Sequence, residues 1–72
     1  MDLTEAMERF LKESEEFRNA FGEHKECGKR IDKLNKKKVM TVEEANEEKT
    51  LKIKKLVLKD KLEKMLVEAG VN

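Results

Sequence analysis

The sequence predicts an all-α fold: a long, coiled-coil-like antiparallel helical hairpin that self-associates into a helical bundle. Three observations predict it. The 72 residues contain no proline and are dominated by Ala, Leu, Glu, Lys, Arg and Met, the good helix formers. Apolar residues recur in two stretches with steps of three and four, and nowhere with the period of two that a strand requires. Charge is segregated so that each helix starts acidic and ends basic, which suits both macrodipoles.

The first apolar seam runs through Leu3, Met7, Phe10, Ser14, Phe17, Phe21, His24, Gly28 and Ile31, widened by Leu11, Ala20, Cys27 and Leu34. The second runs through Leu51, Lys55, Leu58, Leu62, Met65 and Ala69, flanked by Ile53, Leu56 and Leu66. Asp2 with Glu5, and Thr41 with Glu44, have the spacing of N-terminal caps. Gly70 suits a C-terminal stop. These signals set helix 1 at about 3–35, a turn at 36–41 and helix 2 at about 42–69, in one domain spanning 1–72. At 1.5 Å per residue the helices are roughly 50 Å and 42 Å long. Gly22 and Gly28 each cost about 1 kcal/mol relative to alanine inside a helix, so a kink or break in helix 1 is expected near Gly22.

Segmental charge sets the direction of pairing. Residues 1–26 hold eight acids and four bases, a net of −4, and residues 27–41 hold one acid and six bases, a net of +5. Residues 42–50 carry −3 and residues 51–72 carry +3. Folding back antiparallel sets acid against base along the whole length, whereas a parallel pair opposes like charges. A turn near residue 39 then places Leu58 by Ala20 and Phe21, Leu62 by Phe17, Leu51 by Cys27, and Lys55 by Glu23.

Composition bounds the function. The 17 basic and 16 acidic residues nearly cancel, unlike the basic excess of a dedicated nucleic-acid binder. No apolar run approaches the 18 or so residues that span a membrane, and the acidic N-terminus does not read as a targeting peptide. The expected location is the cytoplasm. A single cysteine, Cys27, excludes an intrachain disulfide. A two-helix hairpin leaves one side of its apolar stripe in water, and each large side chain buried is worth about 1.5–3 kcal/mol. Pairing two hairpins into a four-helix bundle closes that side, with a two-fold homodimer as the simplest assembly. The interaction and core set is Phe10, Phe17, Phe21, Ile31, Leu51, Leu56, Leu58, Leu62, Met65 and Leu66. Ile53, Leu56, Val57 and Leu66 extend the apolar surface beyond one seam, as a further helical partner would require.

Residues 51–66 read LKIKKLVLKDKLEKML. This stretch resembles the closing signature of the YdcH-like family of small bacterial proteins of unknown function, L-K-x-x-K-L-x-L-K-D-x-I-x-x-M-L. Leu51, Lys52, Lys55, Leu56, Leu58, Lys59, Asp60, Met65 and Leu66 match it, and Leu62 stands at the isoleucine position. In the first helix Phe17, Phe21, Glu23, His24 and Ile31 fall on the family pattern, with Cys27 at a usual leucine and Gly28 where aspartate is common. The resemblance covers roughly residues 10–66 and implies a helical hairpin with no substrate, cofactor or catalytic residue attached.

Each polar residue on the seams has a structural reading beside a functional one. His24 and Cys27 lie three apart on one helical face, and two copies together would offer a Cys2His2 set for zinc. With only two ligands per chain, a core cysteine beside a hydrogen-bonded histidine is the preferred account, and no metal, cofactor or catalytic set is expected. His24, Lys55 and Asp60 are register-setting polar residues, since a polar group on a seam fixes alignment at some cost in stability. Lys36, Lys37 and Lys38 form a basic run at the turn, backed by Lys29, Arg30 and Lys33. They are candidate contacts to anions, but no aromatic residue interleaves them and Glu43 and Glu44 follow closely. The functional expectation is a non-enzymatic, self-associating protein–protein interaction module. A weak nucleic-acid or anionic-surface binder working through the turn is the alternative.

Overall fold

The computed structural model describes residues 2–70, which form three helices that pack on one another and no strand. They are α1 (Leu3–Glu13), α2 (Glu15–Asn35) and α3 (Val42–Glu68). Asp2 caps α1, its Oδ1 accepting from the Glu5 N–H at 2.9 Å. Thr41 and Glu44 make a reciprocal capping box at the start of α3. Thr41 Oγ1 accepts from the Glu44 N–H and Glu44 Oε1 accepts from the Thr41 N–H, both at 3.1 Å. Beyond α3, Gly70 takes a left-handed φ of 83°, a conformation that glycine adopts at little cost.

The expected interruption near Gly22 falls instead at Ser14, and Gly22 and Gly28 lie inside an unbroken α2. The reason is hydrogen bonding. Ser14 is a single extended residue, at φ −114° and ψ 111°. Its N–H donates to the Phe10 carbonyl at 2.9 Å, closing α1. Its hydroxyl accepts from the Phe17 N–H at 3.1 Å, opening α2. Arg18 then donates through Nη1 to the carbonyls of Leu11 (2.8 Å) and Lys12 (3.2 Å), two groups that the end of α1 leaves without helical partners. A glycine in mid-helix only lowers propensity and offers no such replacement bonds.

Seven residues of continuous helix advance about 10 Å. The rings of Phe10 and Phe17 nevertheless stack with centroids 4.9 Å apart, because the chain bends between them. The described chain measures 45 × 19 × 16 Å, shorter than the roughly 50 Å of a straight helix over 3–35.

Between α2 and α3, Glu16 meets Lys61 (3.2 Å) and Arg30 meets Glu47 (2.9 Å), and Lys37, just past the end of α2, meets Glu44. Phe17, Ala20, Cys27, Leu58 and Leu62 form the central core, with Phe21, Leu51, Met65 and Leu66 packed around it. Ile31 and Leu34 are also buried, towards the turn. The most buried line on α2 is therefore Phe17, Ala20, Cys27, Ile31 and Leu34, while Phe21, His24 and Gly28 sit half-buried at its side. The small Ala20 and Cys27 stand where the two helices meet.

Candidate interaction surface

The reverse of α3 carries apolar side chains that the core does not use. Ile53 (62% exposed), Leu56 (59%), Val57 (61%) and Val67 (68%) are open to water. At 100° per residue they fall opposite Leu58 and Leu62, with Asp60 on the same outer line. α3 is thus apolar on two faces, only one of which is covered within the chain. Asp60 is exposed and forms no ion pair among the described residues.

One flank of this stripe is cationic. His24, Lys52, Lys55 and Lys59 surround a groove of about 260 Å³ whose apolar walls are Ile31 and Leu56. Lys55 is half-buried and lies against Gly28, five residues along α2 from Glu23. Lys52 reaches back to Glu48 at 3.1 Å, while the other carboxylate oxygen of Glu48 is buried with no hydrogen-bond partner. The inner seam of α3 therefore begins before Leu51, running Glu44, Glu48, Leu51, Lys55, Leu58 in steps of four and three. Its two opening positions are carboxylates, which hydrophobic periodicity passes over.

His24 and Cys27 face different surroundings. His24 borders the lysine groove, whereas Cys27 is buried in the core and edges a separate shallow surface with Gly22, Glu23 and Leu51. Among the described residues no three His, Cys, Asp or Glu side chains gather as a metal-binding set. The same residues contain no helix long and apolar enough to cross a membrane.

Two of the three turn lysines, Lys36 and Lys37, have acids nearby, and Lys38 is exposed. Lys37 pairs with Glu44, and Lys36 shares a shallow surface with Lys29, Lys33, Glu26 and Asp32. Lys37 and the Thr41 N–H hold the Glu44 carboxyl below its ordinary value. Arg30 does the same to Glu47, making a two-toothed contact at 3.0 and 2.9 Å, and its own guanidinium is raised in return.

Of the candidate residues, Phe17, Ile31, Leu58 and Leu62 are buried. Phe10, Phe21, Leu51, Met65 and Leu66 are half-buried, and Leu56 lies outside on the free face. Sequence periodicity missed Ser14 as a joint and Arg18 as its clasp. The available signal was the Ser14-Glu15-Glu16 start of α2, a capping residue followed by an acidic first turn. Comparison of the chain with family models, curated proteins and solved structures finds no match.

Proposed function

We propose that this chain is a non-enzymatic helical interaction module that works as a homodimer, built on an antiparallel hairpin of α2 and α3. The two ion pairs between the helices, Glu16–Lys61 and Arg30–Glu47, support the antiparallel direction, and the Lys37–Glu44 pair at the turn agrees with it. The observation that carries the functional reading is the second apolar face of α3, Ile53, Leu56, Val57 and Val67, left uncovered by the chain's own helices. A second copy supplies the same face, so a two-fold contact along α3 covers both at once. Asp60, in the middle of that line, sets the register, because a carboxylate on an apolar seam tolerates few alignments. The lysine-rimmed groove beside the stripe suits an acidic helical partner docking on the assembled dimer. The likeness of residues 51–66 to the YdcH-like signature is part of the same proposal, as is a cytoplasmic setting.

Light scattering on the wild type and on Ile53→Lys and Leu56→Lys variants tests the surface. The expected result is a wild-type dimer at micromolar concentration and monomeric variants with unchanged helical content. Variants that remain dimeric would place the contact elsewhere.

A further inference from the structure

The joint at Ser14 interrupts a seam that does not itself change phase. Leu3, Met7 and Phe10 lead to Ser14, and Phe17 and Phe21 follow, all in steps of four and three. One residue alone is non-helical there, and its φ of −114° is negative, so no left-handed backbone blocks its conversion to helix. The bonds specific to the bend are few. They are the Ser14 hydroxyl to Phe17 N–H bond and the two Arg18 bonds to the carbonyls of Leu11 and Lys12. A continuous helix replaces each of them with an ordinary backbone bond four residues along.

We propose that Ser14 is a hinge between this bent chain and a straight one with a single helix over residues 3–35, and that the straight form pairs with a second copy. Straightening separates Phe10 from Phe17 and uncovers an apolar patch of Phe17, Leu62 and Met65, with Phe17 now 0% exposed beneath its neighbours. It also lines Met7 and Phe10 up with that patch on one continuous face. Two such faces, related by a two-fold axis, close a four-helix bundle. The patch has two coverings, the chain's own α1 or a partner chain, and they exclude each other. This inference rests on the reading of the chain as self-associating and assigns it a second surface, distinct from the outer stripe of α3.

The test compares Ser14→Ala with Ser14→Asp. Alanine removes the cap and favours continuous helix, whereas aspartate caps as well as serine. In a Leu56→Glu background, where the outer stripe no longer pairs, Ser14→Ala is expected to tighten dimerisation by about 30-fold, roughly fivefold for each of the two chains that open, and Ser14→Asp to leave it unchanged. Spin labels at Thr4→Cys and Lys33→Cys in a Cys27→Ala background report the hinge itself. A continuous helix sets them about 44 Å apart, and the bent chain sets them closer. The Ser14→Ala dimer is further expected to survive Leu56→Glu, which disables only the outer stripe. Arg18→Gln, which releases the clasp without touching Ser14, is expected to shift association in the same direction. An unchanged dimer constant and a short label distance in Ser14→Ala would overturn the hinge. Loss of the Ser14→Ala dimer on Leu56→Glu, with the labels still close, would also overturn it and leave the outer stripe as the sole contact.

Discussion

Lys55 lies across Gly28: a Cβ placed on Gly28 would sit 3.7 Å from the Lys55 ammonium nitrogen and 3.9 Å from its Cε. These are ordinary contact distances, so the position is open to a side chain. Gly28→Ala is expected to raise stability by about 0.5–1 kcal/mol through helix propensity alone. Gly22→Ala, with nothing within 4 Å of its Cβ, should gain a similar amount. Gly28→Asp is expected to bring a carboxylate to Lys55 and to stabilise in a salt-dependent way. Thermal unfolding of the three variants checks this. A loss of stability in Gly28→Ala would contradict the close but unstrained placement of Lys55.

Phe17 links all three helices, stacking on Phe10 in α1 and packing with Leu58 and Leu62 of α3. Phe17→Ala is expected to cost about 3–5 kcal/mol, which is comparable to the whole stability of a domain this small. Far-UV circular dichroism should show a largely unfolded chain. Retention of a cooperative transition near the wild-type midpoint would show that Phe17 is not the keystone.

Glu48 places one oxygen in the core side of α3 without a partner, while the other meets Lys52. An unsatisfied buried polar atom costs roughly 1–3 kcal/mol. Glu48→Leu, at a seam position, is therefore expected to raise the urea midpoint. An unchanged or lower midpoint would mean that the Glu48–Lys52 pair contributes more than the unpaired oxygen costs.

How much of this was legible in the sequence depends on how local the cause is. The caps at Asp2 and Thr41 are spelled by residues three apart, and the turn follows from them. The core positions Phe17, Leu58 and Leu62 follow from periodicity. Ser14 escaped because its seam runs on undisturbed. The bend is held by Arg18 reaching seven residues back and by the Phe10–Phe17 stack, contacts that exist only once the chain has turned. Glu44 and Glu48 escaped for a different reason: they occupy seam positions with polar side chains. The outer face of α3 was visible as surplus apolar residues, Ile53, Leu56 and Val57, beyond one seam.

Acid should loosen the α2–α3 contact from the turn end. Glu44 and Glu47 are held below the ordinary carboxylate value of 4.5, by Lys37 with Thr41 and by Arg30 respectively. A lowered folded-state value means that their stabilisation is complete above the unfolded value and is lost as pH falls through the lowered one. The thermal midpoint is thus expected to be flat near neutrality and to fall below about pH 4.5. Glu44→Gln and Glu47→Gln should each start lower and respond less to acid. Equal acid sensitivity in wild type and both variants would assign the loss to other carboxylates.

On the proposal above, the second apolar face of α3 is covered by a partner copy. Sedimentation equilibrium of the wild-type chain beside Leu56→Glu, over a micromolar concentration series, tests it most directly. The expected result is a wild-type mass that rises from monomer to dimer, and a Leu56→Glu chain that stays monomeric with its helices intact. A wild-type chain that remains a stable, compact monomer across the series would contradict it.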